Sequence, residues 1–215
     1  MLRIATCLWD ANELSPDNSR CFDHTWVDKL YRGWRRNLTV PFEFLLFTDR
    51  GRPVSNRIQQ VRLDADEPDF GSMIEPFKIG GPIIVCGLDT VIVGNVDHLA
   101  HYCVRAKKMA LPRDPYQPDR SINAVALVPS GLTHIYREWR GQNDMDWLRN
   151  FQWAAIDDLF PGQVVSAKYH LRIEKQPPHR APSDVLPESA KVVYFHGKPK
   201  PHELGHLPWI KEHWA

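Results

Sequence analysis

The residues best placed to do chemistry fall in two short stretches of this 215-residue chain. In the first, IIVCGLDTVIVGNVD (Ile83 to Asp97), β-branched residues climb to Gly87, a lone carboxylate follows at Asp89, and a second apolar run, Val91 to Val93, leads to a polar turn. An apolar run without helical spacing predicts a strand buried on both faces. Asp89 then sits at the carboxyl end of a strand, where ligands of open α/β sheets bind. An acid there can meet a bound metal or phosphate, or simply cap the following turn. In the second stretch, KVVYFHGKPKPHEL, a strand predicted over Val192 to Phe195 precedes His196, Gly197, Lys198, Pro199, Lys200 and Pro201. Gly197 permits close backbone approach by a ligand, Lys198 and Lys200 offer point charges for phosphate, and the prolines stiffen the loop.

The elements that must position these residues are legible from apolar spacing. RIATCLW (Arg3 to Trp9) predicts a first strand near the sheet centre. From Phe22 to Asn37 the residues Trp26, Val27, Leu30, Tyr31 and Trp34 recur at helical spacing, with Lys29, Arg32, Arg35 and Arg36 on a basic face that reads as solvated. FEFLLFTD follows as a second strand, so the chain opens with a βαβ unit, a right-handed crossover and a parallel sheet. Arg57 to Leu63 reads as a third short strand. Pro76 predicts at most a short irregular turn before Gly80, Gly81 and Pro82. Later segments read as a helical turn (HLAHYC), a strand (AKKMALP), a proline-rich surface loop and a strand (INAVALVPSG) with Asn123 at its mouth. Leu132 to Arg140 and Met145 to Phe160 carry helical spacing, VVSAKYH a further strand, and RIEKQPPHRAPSDVLPES no regular pattern. Trp139, Trp147 and Trp153 are either packing residues or stacking platforms for a sugar.

Composition bounds the function classes. A chain with 43% hydrophobic residues can bury one full core, and a net charge of +1 gives no field that recruits nucleic acid or a membrane surface. Nowhere do about 18 apolar residues occur in succession, and the N-terminus lacks a cleavage pattern. Cys7, Cys21, Cys86 and Cys103 show no CxxC spacing and read as reduced thiols. The expectation is a cytoplasmic protein without a transmembrane segment. No HExxH spacing supports a metal-dependent hydrolase.

Three stretches carry a family resemblance. LDTVIVGNVDHL resembles the segment around the Asp-x-Asp motif of GT-A glycosyltransferases, and YFHGKPKPHE is similar to the His-x-x-Gly-x-x-Lys-Pro closure of the glycogenin-like family 8 enzymes. WVDKLYRGWRRNLTVPFEFLLFTDR is similar to the helix and strand that open such bacterial and phage-borne chains. The resemblance implies a single domain over 1–215: a Rossmann-like GT-A three-layer α/β/α sandwich with a mostly parallel sheet. It implies UDP over the sheet's C-terminal edge, with a divalent cation, Mn2+ or Mg2+, bridging the phosphates. The implied activity is sugar transfer from a UDP-sugar to a glycan, protein or lipid acceptor.

Carried over by the resemblance, Asp89 and His196 are metal ligands, Gly197 and Lys198 form the diphosphate loop, and Lys200 extends its charge. Gly87 and Leu88 flank the donor; Thr6, Leu8 and Asp49 occupy nucleoside positions; Asn123 is the polar residue after the acceptor-side strand. Asp89, Lys198 and Asn123 are thus the expected catalytic residues. Two departures stand out: Gly87-Leu88-Asp89 lacks the first acid of Asp-x-Asp, and Met73 stands before Phe77 where relatives carry a lysine. The alternative these leave open is a degenerate transferase-like protein that binds nucleotide or glycan without turnover.

Overall fold

The computed structural model describes residues 1–16, 19–115, 117, 119–150, 156–167 and 184–215. The expected βαβ unit is β1 (Leu2–Leu8), α1 (His24–Asn37) and β2 (Phe42–Thr48). β1 and β2 run parallel, from Leu2 opposite Phe42 to Leu8 opposite Thr48. Asp23 starts α1 by accepting the Thr25 amide at 2.8 Å, a side-chain cap that satisfies one of the helix's open N–H groups. Trp26, Val27, Leu30, Tyr31 and Trp34 are buried as their spacing predicts. The basic face is put to use. Arg32 and Arg36 donate to the carbonyls of Ala215 and His213 at 2.9 and 2.6 Å, and the Lys29 ammonium lies 3.7 Å above the Trp214 ring. α1 therefore clamps the C-terminal segment.

β3 (Ile58–Arg62) pairs parallel with β2, and β4 (Ile83–Cys86) pairs parallel with the other edge of β1. The chain continues through β5 (Thr90–Ile92), α2 (Asp97–Arg105), β6 (Ala110–Leu111) and β7 (Val125–Val128). α3 (His134–Arg137), α4 (Asp144–Asn150), β8 (Asp157–Asp158), β9 (Val164–Ser166), β10 (Val192–Tyr194) and α5 (Pro208–His213) complete it. The central sheet has the order β3-β2-β1-β4-β7-β6-β8, with β7 antiparallel to both its neighbours, so it is mostly parallel. Strand alternation divides its side chains into two cores. Ile4, Leu8, Phe44, Leu46, Ile84 and Cys86 pack with residues of α1 and α2. Ala5, Cys7, Leu45, Phe47, Ile83 and Val85 pack with Ile74, Phe77, Ile135 and Leu148. This gives the three-layer α/β/α sandwich.

The second apolar run of the Asp89 stretch is β5, which leaves for a second sheet of order β5-β10-β9. There Thr90, Val91 and Ile92 face Tyr194, Val193 and Val192, antiparallel. Residues 70–79 are not a brief turn but the 3₁₀ helix Phe70–Ile79, with Pro76 inside. Asp69 accepts the Gly71 amide at 2.7 Å, and Gly80 ends the helix in the left-handed region, so both ends are capped despite the proline. Helical spacing from Met145 to Phe160 gives α4 at its start, whereas near its end Asp157–Asp158 form the strand β8 and not a helix; residues 151–155 lie outside the described residues. Trp153 and residues 168–183, expected to be partly irregular, lie outside the described residues. Trp139 and Trp147 serve packing, their indole N–H groups donating to the carbonyls of Gln142 and Ile135 at 2.8 and 2.9 Å.

Gly81 delivers the chain into β4 with φ at +67°, and a Cβ there would meet the Pro129 carbonyl oxygen at 2.6 Å. Gly81→Ala should lower the unfolding free energy by about 1–3 kcal/mol, read as a shift of the urea midpoint. An unchanged midpoint would mean that this turn relaxes freely. No helix among the described residues is long and apolar enough to cross a membrane.

Candidate functional site

The parallel strands β1 and β4 end on the same edge of the sheet, and the residues that follow them form one wall of a crevice. β1 delivers Leu8 and Trp9, and the β4–β5 connection delivers Gly87, Leu88 and Asp89. Because β7 runs the other way, its start lies at this edge and brings Asn123 to it; the first residue of α4, Asp144, lies alongside. Phe22, Phe70 and Met73 line the crevice too, and Lys200 enters it from the C-terminal segment. The cavity volume is about 160 Å³, and the crevice opens to solvent at its mouth.

Pairing of β5 with β10 is what joins the two chemical stretches. Tyr194 lies opposite Thr90, so the residues after β10 emerge beside the Asp89 turn. Lys200 reaches across and its Nζ donates to Asp89 Oδ2 in an ion pair whose side chains are 8% and 13% exposed. The same ammonium lies 5.6 Å from the Phe22 ring centroid. Its backbone is fixed from behind, its N–H donating to Glu203 Oε2 at 2.7 Å as the 3₁₀ helix Pro201–Leu204 begins.

A second polar pair faces it. Asn123 Nδ2 donates to Asp144 Oδ2 at 2.7 Å. Burial pushes the Asp144 carboxyl up to about 6, against the opposing pull of the Asn123 amide. The aromatic wall is built from Trp9, whose indole N–H donates to Ser15 Oγ at 2.8 Å, and Phe70, which meets the Trp9 ring edge-on at 6.2 Å.

Of the residues singled out in the sequence, Leu8, Gly87, Leu88, Asp89, Asn123 and Lys200 come together in the crevice. The others do not line it. Thr6 is fully buried within β1, and its Oγ1 finds no hydrogen-bond partner among the described residues. Asp49 accepts the Asp10 amide at 3.0 Å and pairs with Arg52, in a network with Arg50 at the rim. His196 is half-buried, with its Nδ1 3.2 Å from Ser166 Oγ. Gly197 and Lys198 are exposed. Gly197 adopts a φ of +62°, and beyond this turn it is Lys200, not Lys198, that reaches Asp89. Asp144 and the aromatic wall were missed in the sequence. The signal available for Asp144 was the pair of acids in NDMDWL, set directly before an apolar helical pattern. Met73, where the resemblance places a lysine, does line the crevice.

The divalent cation implied by the resemblance does not fit these residues. Asp89 already accepts an ammonium, His196 is not on the crevice wall, and no group of three His, Cys, Asp or Glu side chains able to hold a metal exists among the described residues. At Gly87, the place of the missing acid, a Cβ would stand 2.8 Å from Asp89 Oδ1, so a side chain there would make the Asp89 carboxylate shift.

No family model matches the chain, and no curated protein matches it in sequence. In fold it is similar to solved glycosyltransferases. The galactosyltransferase LgtC in complex with donor and acceptor sugar analogues aligns with a TM-score of 0.57 at 10% identity, over 98% of this chain and 93% of that one. GlyE from Streptococcus pneumoniae TIGR4 aligns at 0.59 and 11% identity over 94% of this chain, and the bifunctional WbbM at 0.59 and 9% over 98%. This chain spans 56% of GlyE and 50% of WbbM. Identities this low establish the fold: the chain has the GT-A-like architecture of these enzymes.

Proposed function

We propose that this chain, built on the fold of glycosyltransferases, is itself one, moving a sugar from a UDP-sugar to a glycan, protein or lipid acceptor. The observation that carries the reading is the crevice at the C-terminal edge of β1 and β4. It joins a buried lysine–carboxylate pair, an asparagine–carboxylate pair and an aromatic wall. Its placement favours a nucleotide ligand, since open α/β sheets bind ligands beyond their strand ends. Its chemistry favours a diphosphate ester with a sugar at one end.

In this reading the bond between the anomeric carbon and the β-phosphate oxygen breaks, leaving the electron pair on that oxygen, and the acceptor oxygen bonds the anomeric carbon. Lys200 donates to diphosphate oxygens and stabilises the charge that develops on the leaving one. Asn123 and Asp144 bind sugar hydroxyls, and Asp144, with its carboxyl raised to about 6, is poised to take the acceptor's proton near neutral pH. Leu8 and Leu88 supply apolar walls for the nucleoside, Gly87 lets the donor approach the backbone, and Asp49 holds the rim through Asp10 and Arg52. Gly197 and Lys198, exposed and outside the crevice wall, are assigned no step. No step is assigned to a metal or to His196. Cys7, Cys86 and Cys103 are buried, unbridged thiols, in keeping with a cytoplasmic protein.

Calorimetric titration of UDP, followed by a screen of UDP-sugars for UDP release, tests the reading. Saturable UDP binding with turnover of at least one donor is expected. Absence of UDP binding would overturn it. Binding without turnover of any donor would favour a nucleotide-binding protein that has lost activity, for which the missing acid at Gly87 is the motivating observation.

A further inference from the structure

Asp89 and Lys200 lie 111 residues apart in sequence and meet as a nearly buried pair at the floor of the crevice. We infer that this chain holds the diphosphate of its donor without a divalent cation, the Lys200 ammonium acting as the fixed counter-charge. The inference rests on the reading of the crevice as a nucleotide-sugar site.

Four observations support it. First, a hard dication seeks several oxygen ligands, and the Asp89 carboxylate, the only acid of the β4–β5 turn, is already an acceptor for Lys200. A dication on the same carboxylate would stand against the ammonium, and like charges at such a distance repel. Second, a Cβ at position 87 would stand 2.8 Å from Asp89 Oδ1, so an acid there would make the Asp89 carboxylate shift from its observed aim. Glycine at this position leaves the lysine-paired aim of Asp89 undisturbed. Third, Lys200 is held by the fold. Glu203 accepts its backbone N–H, and Leu204, at the end of the same 3₁₀ helix, packs with Phe195 and Trp209 in the core of the small sheet. Fourth, an ammonium carries three donors. Asp89 takes one, which leaves two for phosphate oxygens.

The test uses the unmodified chain. UDP is titrated calorimetrically in excess chelator and again in manganese, and manganese is titrated alone. The expected result is one dissociation constant, equal within about twofold in both media, and no saturable heat from manganese by itself. Lys200→Met, checked for folding by circular dichroism, should weaken UDP binding in chelator by roughly tenfold or more. If that variant does not fold, the wild-type titrations still decide. UDP binding that appears only with manganese would overturn the inference and leave the transferase reading standing. Binding in chelator that survives Lys200→Met in a folded protein would overturn Lys200 as the counter-charge. No UDP binding in either medium would overturn both readings together.

Discussion

Asp89→Ala should destabilise the fold by about 3–5 kcal/mol, and adding Lys200→Met to that variant should restore most of the loss. The Asp89 substitution strands an ammonium whose side chain is only 8% exposed. Burying an unpaired charge is expensive, whereas replacing both members of a buried pair by apolar groups is often close to neutral. Lys200→Met alone should also be destabilising, since it leaves a carboxylate that is 13% exposed without its partner. Denaturant unfolding of the wild type, both single variants and the double variant forms a thermodynamic cycle. A large favourable coupling is expected. Additive losses would show that the two side chains do not depend on each other, and with that the fixed charge in the crevice would be lost as an idea.

Asp144→Asn should make the protein more stable at pH 7.5, by up to about 3 kcal/mol, and cost it donor turnover. Burial raises the Asp144 carboxyl to about 6 from an ordinary 3.8. Between those values the native state binds more protons than the unfolded chain, so stability falls as pH rises through this window. Above about pH 6 the whole penalty is present: about two units at 1.36 kcal/mol each. The amide has the shape of the carboxyl, can still accept from Asn123, and carries no charge. Its advantage should therefore be full at pH 7.5 and vanish below about pH 4. Unfolding free energies at pH 4 and pH 7.5 decide the matter. An equal difference at both would mean that the substitution acts through packing and not through the buried charge. A stabilised but inactive variant would mark Asp144 as a residue whose placement trades stability for function.

Both effects centre on residues that the sequence revealed to different degrees, and the physical reasons differ. β1, α1 and β2 were legible because each carries its own period, and α1 even displays its cap at Asp23. Asp89 and Asn123 were legible because a polar residue at the mouth of an apolar run has few places to go. What the runs do not encode is their partner. Val91 to Val93 reads as a second apolar run after Asp89, and nothing in the run says that it pairs with β10 in another sheet. That same pairing selects Lys200 over Lys198 and His196, a choice that depends on the backbone turn at Gly197 and so cannot be read from residue type. The 3₁₀ helix across Pro76 escaped for a related reason: its caps at Asp69 and Gly80 are local, but the buried Ile74 and Phe77 that anchor it answer to the sheet. Asp144 joins the crevice through tertiary packing, 21 residues beyond its partner Asn123, and no local period announces it.

The clamp of α1 on the C-terminal segment and the pairing of β10 with β5 also set the order in which the crevice comes into being. On a ribosome, the Asp89 turn is made 111 residues before Lys200. Throughout that interval the nascent chain carries its acid but not the cation that completes the floor. A product cut short anywhere in this span contains every strand of the central sheet from β1 to β4, yet its cleft carries acids without the lysine that balances Asp89. Synthesis of the tail thus acts as a licence: the carboxylate of Asp89 gains its balancing cation only once the segment carrying Lys200 has been made and folded back.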